Sequence, residues 1–131
     1  MRIFLDANIL FSAAMSNGAI RLLIVRLLEK RHELRISAFV KEEAERNLRA
    51  KAPASLQYFE ELKDLVSLVP CGGGFKPLPV IASYLPIKDQ PVLQAAIHGQ
   101  CDILLTGDKM HFGKLYGQEL CTRQNLNIAF K

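Results

Sequence analysis

The chain has 131 residues, of which half are hydrophobic and 23% are charged, and its formal net charge is +4 at pH 7. This length supports one hydrophobic core and is too short for two ordinary domains, so we expect a single domain over residues 1–131. The composition excludes a disordered chain, and the mild positive charge would assist the approach of a polyanion without identifying one.

The sequence predicts a cytoplasmic protein with no membrane partner. No apolar run is as long as a membrane span, and the opening stretch lacks the three regions of a signal peptide. The three cysteines, Cys71, Cys101 and Cys121, are far apart and form no CxxC pair. This pattern predicts neither a disulfide framework nor a zinc site.

The chain opens with a short apolar strand, Ile3 to Leu5, which is followed by Asp6. Bulky residues without polar interruption are typical of a strand that is buried on both faces of a parallel sheet. Ligands bind outside the carboxyl ends of such strands, which would make Asp6 a site residue. On this stretch alone a turn role is the commoner interpretation, with Asn8 capping the element that follows.

Apolar periodicity predicts the rest of the scaffold. Helices are expected at 19–30, 38–51, 53–63 and 88–98, and strands at 33–37, 65–69 and 101–106. A short helix near Leu115 and Tyr116 and a last strand at 120–122 follow, while 12–18 is a small-residue stretch and 70–86 is a loop rich in glycine and proline. Alternating strands and helices predict a three-layer α/β/α domain with a mainly parallel sheet of about five strands.

Two of these helices carry charges that need an interpretation. The first has Arg21 and Arg26 on its outward face, where solvation explains them. The second has an inward stripe of Phe39, Val40, Glu43, Ala44, Asn47 and Leu48. Burying the Glu43 carboxylate without a partner would be costly, so we expect it to face a cleft that holds a cation or a basic partner.

Four carboxylates are predicted to converge at the carboxyl edge of the sheet: Asp6 and Asp108 after two strands, Glu43 on the inward stripe, and Asp89 at a helix start. Without a cation they would repel one another, and a divalent metal removes that repulsion. Oxygen ligands, with no Cys or His pair at ligand spacing, favour Mg²⁺ or Mn²⁺. Such an ion retains waters, one of which can attack a phosphodiester.

These residues resemble the PIN-domain family of metal-dependent ribonucleases, which includes toxins of toxin-antitoxin pairs. The similarity spans residues 1 to about 117, in four motifs: Ile3-Phe4-Leu5-Asp6-Ala7-Asn8, Ile36-Ser37 followed by Glu43, Lys88-Asp89 opening a helix that ends in Ala95-Ala96-Ile97, and Asp102-Ile103-Leu104-Leu105-Thr106-Gly107-Asp108. The resemblance implies a PIN-like fold and endoribonuclease activity. It also implies metal binding by Asp6, Glu43, Asp89 and Asp108, with Asn8 and Thr106 as supporting polar residues, and a homodimer with an antitoxin partner.

The chain departs from the family pattern after Asp108. Many members carry a second acid two residues later, where this chain has Met110. His111 follows directly, but a lone histidine beside a loop is more often solvated, and we leave it outside the predicted site. Asp102 enters a buried strand and is expected to serve structure. The final fourteen residues fit the ending of the family poorly.

RNA is the predicted partner, approaching along Lys41, Arg46, Lys88 and Lys109, the basic residues nearest in sequence to the acids. Which RNA is bound stays open, because no base-reading motif is present. A phosphatase of the DxD type is a weaker alternative, since Asn8 stands where its second acid would be needed. A catalytically weak or inactive PIN-like module that binds RNA or protein is the remaining alternative.

Overall fold

The structure, a computed structural model, describes residues 1–69, 85–113 and 126–131. Within these ranges five strands form one sheet: β1 (Arg2–Leu5), β2 (Glu33–Ile36), β3 (Ser67–Leu68), β4 (Ile103–Thr106) and β5 (Asn127–Phe130). Their order is β3-β2-β1-β4-β5, and every pairing is parallel. The predicted α/β fold with a five-stranded parallel sheet is therefore confirmed.

In the described part of the chain, six α-helices connect and cover these strands: α1 (Ala7–Met15), α2 (Ala19–Glu29), α3 (Ala38–Lys51), α4 (Leu56–Lys63), α5 (Gln90–His98) and α6 (Lys109–Phe112). Single 3₁₀ turns at Pro53–Ser55 and Ile87–Asp89 precede α4 and α5. The predicted helix over 38–51 agrees with α3 at both ends, because the Ser37 hydroxyl accepts the Val40 N–H at 3.2 Å and caps its start.

The first strand lies at the centre of the sheet, between β2 and β4. Phe4 and Leu5 are completely buried, as the unbroken apolar run predicted. Leu5 is paired in register with Leu105, and the Asp6 N–H continues this ladder with a 3.0 Å hydrogen bond to the Leu105 carbonyl. The exits of β1 and β4 are thus neighbours, and each leads to one of the predicted acids.

Helix α1 was not predicted from the sequence. Its buried residues, Ala7, Ile9, Leu10, Ala13 and Ala14, share one face. Phe11 and the exposed Met15 extend the apolar residues beyond that face, so the sequence lacks the one-sided periodicity of an amphipathic helix. Its N-cap is Asp6, whose Oδ1 accepts the Ala7 N–H at 2.7 Å. The capping role considered for Asn8 is therefore wrong.

Helix α2 differs from its predicted environment. Arg21 is not a solvated charge, because its guanidinium donates to the Ala13 and Ala14 carbonyls at 2.8 and 3.1 Å and lies 3.6 Å from the Tyr58 ring centroid. The apolar side of α2 packs against the core, with Ile24 buried, whereas Leu22 and Val25 lie outside that side and are exposed. No single helix in the described part of the chain has the length and apolarity to cross a membrane; α1 and α2 pass that test only together, with a 107° bend between them.

The remaining differences concern short or terminal elements. Strand β3 has two residues instead of the five predicted, and α6 and β5 were not predicted because four-residue segments carry little periodicity. The predicted helix near Leu115 and Tyr116 and the predicted strand at 120–122 lie outside the described residues, as does most of the loop predicted at 70–86.

Candidate active site

A cleft of about 240 Å³ opens beside the carboxyl ends of β1 and β4. All four acids that the sequence predicted to converge lie along it. The lining residues are Asp6, Ala7, Asn8, Phe11, Glu43, Asn47, Lys51, Lys88, Asp89 and Asp108. One concave surface is thus built from elements that are distant in sequence: the start of α1 after β1, helix α3, the 3₁₀ turn before α5, and the exit of β4.

Asp6 is the most buried of these acids, with 6% of its surface exposed. Its Oδ2 accepts the Thr106 hydroxyl at 2.8 Å, while its Oδ1 caps α1. Burial raises the pKa of Asp6 from 3.8 to about 6, and the charges of Glu43 and Asp89 add to this effect, whereas the two hydrogen bonds oppose it. Asp6 therefore both caps the element after its strand and faces the cleft, so the two interpretations weighed from the sequence are geometrically compatible.

Thr106 and Asn8 connect the exits of β1 and β4. The completely buried Thr106 hydroxyl, which donates to Asp6, also accepts the Asp108 N–H at 3.1 Å. The Asn8 amide oxygen accepts the Gly107 N–H at 2.9 Å, and its Nδ2 lies 3.4 Å from the Thr106 hydroxyl. Both residues thus hold the backbone around the acids, in the supporting position that the resemblance implied.

Helix α3 contributes Glu43 from its half-buried side. Val40, Ala44 and Leu48 are buried as predicted, but Phe39, which the stripe also included, is 40% exposed because it lies at the edge of that face. Within the described residues, no Lys or Arg nitrogen lies within 4.0 Å of Glu43 or of the other three acids. No lysine or arginine in the described part of the chain therefore pairs with the carboxylates of the cleft.

Asp89 and Asp108 meet a residue that the sequence interpretation left out. His111 Nδ1 lies 2.6 Å from Asp108 Oδ2 and 2.9 Å from Asp89 Oδ2. Neither contact has the angle of a hydrogen bond, and among the described residues Asp89 Oδ2 and His111 Nδ1 are buried atoms without a hydrogen-bond partner. Treating His111 as solvated was wrong, because α6 turns its ring back onto the cleft acids.

The pKa of Asp89 is raised, chiefly by burial. The nearby His111 and Lys88 act against this rise, and the Asp108 carboxylate adds to it. Asp6 and Asp89 together show that the cleft disfavours negative charge as long as only protein groups surround it. Perturbed carboxyl groups in a cleft are a common mark of a functional site.

The residues present fit a hard divalent cation. Asp89, Asp108 and His111 each offer one ligand atom, and these atoms all lie within 4.8 Å of one another. The unpartnered Asp89 Oδ2 and His111 Nδ1 would gain a partner from a shared cation. Asp6 and Glu43 supply further carboxylate oxygens along the same wall, the ligand type that Mg²⁺ and Mn²⁺ use.

The structure divides the predicted basic residues. Lys88 lines the cleft, whereas Lys41, Arg46 and Lys109 are not among its described lining residues. Lys51, which the sequence interpretation missed, lines the cleft instead, and its Nζ lies 5.8 Å from the ring centroid of Phe11. Helical spacing on α3 places Lys51 on the face of Glu43 and Asn47 and was a usable signal, but Phe11 lies on the unpredicted helix α1.

Comparison with known proteins identifies the family of this chain. A family model described as PIN domain matches residues 2–110. Curated proteins show no significant sequence match. The fold is similar to a chain in the crystal structure of VapBC2 from Rickettsia felis bound to a DNA fragment from their promoter, with a TM-score of 0.65, 15% identity and coverage of 98% of this chain and 99% of that chain. It is also similar to a chain in the structure of VapBC-1 from nontypeable Haemophilus influenzae, with a TM-score of 0.63, 15% identity and coverage of 98% of both chains. With most of its length matched by the family model and its fold shared with these structures, the chain belongs to the PIN-domain family.

Proposed function

We propose that this protein is a metal-dependent endoribonuclease that hydrolyses RNA phosphodiester bonds. The observation that carries the proposal is the convergence of Asp6, Glu43, Asp89 and Asp108 on one cleft without a Lys or Arg nitrogen within 4.0 Å among the described residues. Keeping four like charges together is unfavourable unless a cation joins them. Membership of the PIN-domain family supports the nuclease assignment.

The four acids would hold Mg²⁺ or Mn²⁺, which supplies an activated water and offsets negative charge on the phosphate when bound. The chain itself orients the ligands. Thr106 and the Ala7 N–H each bind one oxygen of Asp6, and this fixes the plane of its carboxylate. Lys88 on the cleft wall provides a positive charge for a phosphate next to the one that is cleaved.

Paired substitutions on α3 test this function. Glu43 lines the cleft, whereas its neighbour Glu42 is exposed on the outer face. We expect Glu43→Gln to reduce RNA cleavage by about 10²-fold or more, because preorganised electrostatic groups contribute on that scale. Glu42→Gln is the matched control and should leave cleavage unchanged. The assay uses a mixed RNA substrate with Mg²⁺, with Mn²⁺ and with EDTA.

Cleavage that persists in EDTA, or equal effects of the two substitutions, would contradict the proposal. A catalytically inactive RNA- or protein-binding module predicts no cleavage by the unmodified protein. Such a module also has no reason to bind metal, so Mn²⁺ would leave its thermal stability unchanged. The nuclease should instead become more stable as Mn²⁺ is added.

We also propose that the protein acts in the cytoplasm as the toxin of a toxin-antitoxin pair. The fold similarity to chains in VapBC structures supports this proposal. The cognate partner would then be encoded beside this gene. Co-expression of a small adjacent reading frame should suppress RNA cleavage, and intact cleavage in its presence would count against the pairing.

A homodimer is proposed from the exposed apolar residues around α2. Leu22 is 51% exposed and Val25 is 40% exposed, and Met15 at the end of the preceding helix α1 is 48% exposed. Light scattering should give twice the monomer mass, and Leu22→Glu should reduce it to the monomer mass by placing a charge in the interface. Leu65→Glu, at an exposed leucine outside α2, is the control. A monomer mass for the unmodified protein would exclude the dimer.

A further inference from the structure

His111 is held at the cleft by the element that follows Asp108. Asp108 caps α6, because its Oδ1 accepts the His111 N–H at 3.0 Å. This cap uses one carboxylate oxygen and brings the imidazole to the other, Oδ2, at 2.6 Å. The histidine three residues after Asp108 therefore returns to the same carboxylate, although the intervening Lys109 and Met110 are exposed.

The imidazole does not act there as an ordinary hydrogen-bond donor. His111 Nδ1 has two carboxylate oxygens at 2.6 and 2.9 Å, yet it makes a hydrogen bond of acceptable angle to neither. Buried polar atoms that approach one another without bonding are rare, because each loses its water without replacement. A cation between Nδ1, Asp89 Oδ2 and Asp108 Oδ2 would satisfy all three atoms.

Met110 cannot contribute a ligand atom of this kind. Its side chain is 84% exposed, and a thioether is a poor ligand for a hard cation. Position 110, where many family members carry a second acid, therefore supplies no ligand in this chain. The donor atom that reaches the site comes from the next residue, His111. The donor set changes from oxygen alone to oxygen with one imidazole nitrogen.

We propose that His111 Nδ1 is a ligand of the metal ion held by Asp89 and Asp108, and that this nitrogen makes the site prefer Mn²⁺ to Mg²⁺. The inference rests on the proposed metal-dependent function. Mg²⁺ is bound through carboxylates and water and gains little from imidazole, whereas first-row transition metals accept nitrogen ligands readily. His111 thus determines which metal occupies the site.

Metal binding and spectroscopy test this proposal without an activity measurement. Binding of Mn²⁺ and of Mg²⁺ is measured by calorimetry on the full chain, and electron spin-echo modulation of bound Mn²⁺ detects a directly coordinated nitrogen. His111→Ala should weaken Mn²⁺ binding by about 10-fold or more and remove the nitrogen signal. His111→Asp, which returns an oxygen donor, should bind metal with a preference moved toward Mg²⁺.

His32→Ala is the matched control, because His32 lies at the opposite end of the sheet, where its Nδ1 contacts the N-terminal amine at 3.1 Å. It should retain both the Mn²⁺ affinity and the nitrogen signal. Tight Mn²⁺ binding without a nitrogen signal in the unmodified protein would overturn the role of His111 and leave the proposed nuclease function intact. Failure of the unmodified protein to bind either metal would overturn both.

Discussion

The two ends of the sheet place acidic residues in opposite surroundings. At the amino end, Glu33 Oε1 lies 3.0 Å from Arg35 Nη2, and Glu33 Oε2 lies 3.7 Å from Arg2 Nε. Asp102 Oδ2 accepts the Arg2 backbone N–H at 2.8 Å. At the carboxyl end, the four cleft acids have no such partner among Lys and Arg within the described residues. The two ends of one sheet thus differ in how far the protein neutralises their acids.

This contrast separates acids that the protein neutralises from acids that have no Lys or Arg partner in the described part of the chain. Glu33, which meets two guanidinium groups, is neutralised by the protein and helps to hold it together. Acids that crowd around a cleft reduce the stability of the metal-free protein, and the raised pKa values of Asp6 and Asp89 record that strain on the charged forms. A bound cation would remove the unfavourable interaction between these carboxylates.

The largest effect is expected from Asp6→Asn at the carboxyl end. The substitution preserves volume and the acceptor of the Ala7 N–H, although its amide nitrogen cannot accept the Thr106 hydroxyl. It removes a negative charge from the proposed metal ligands, so RNA cleavage should fall by about 10²- to 10³-fold or more. The free energy of unfolding in urea should stay equal or rise, because carboxylate repulsion is relieved. Asp102→Asn at the amino end is the control and should cleave RNA normally. If Asp6→Asn is unfolded, Asp6 is a structural residue and the contrast between the two ends fails.

The pH dependence of stability should also distinguish the two ends. Because the folded-state pKa of Asp6 is about 6 against an ordinary 3.8, the folded protein holds this proton more tightly than the unfolded chain. The metal-free protein should therefore lose stability on the order of 3 kcal/mol through Asp6 as the pH rises across that interval. Below the interval this loss is absent, and above it the loss is complete.

Asp6→Asn should remove the pH-dependent loss of stability that Asp6 causes. Urea unfolding of the unmodified protein and of Asp6→Asn across this pH interval measures that loss as the difference between their free energies of unfolding. The stabilisation of the unmodified protein by excess Mn²⁺ should instead increase with pH, because the acids bind the metal in their ionised form. Parallel pH profiles of the two proteins without metal would show that Asp6 is not strained in the folded state.

At the amino end a smaller effect on stability is expected. Asp102→Ala removes the acceptor of the Arg2 N–H and should lower the free energy of unfolding by about 1 kcal/mol. RNA cleavage per folded molecule should not change. Asp102→Asn keeps an acceptor oxygen and should recover most of the stability. Loss of cleavage in folded Asp102→Ala would place function at both ends of the sheet.

The smallest expected effect concerns the salt dependence of RNA binding, measured with Ca²⁺ in place of Mg²⁺ to suppress cleavage. Lys88→Ala should reduce the slope of log affinity against log salt by about 0.7 to 1, as for one phosphate contact. Lys109→Ala should change it less, because Lys109 does not line the described cleft. Arg26→Ala, exposed on α2, is the control; Arg21 is unsuitable because it holds the end of α1. A larger effect of Arg26 than of Lys88 would place the RNA on another face.

Local patterns in the sequence were sufficient for the larger elements. The apolar runs of β1 and β4 predicted central strands, and the capped, periodic segment of α3 predicted its helix to the residue. Strand exits therefore located Asp6 and Asp108, and helical phase located Glu43, because each position depends on the geometry of one element. The family motifs follow the same elements, so the fold could be predicted along with them.

What the sequence by itself determined is the order of strands and helices and the side of each element on which its acids lie, because backbone periodicity is a local property. The tertiary structure decided which side chains meet across elements: Arg21 with the end of α1, Lys51 with Phe11, and His111 with Asp89. It also decided that α1 is a helix with one buried face, since its apolar residues extend beyond that face and form no distinct stripe in the sequence. Such contacts depend on the path of the connections between elements, and no periodicity within a single element records that path.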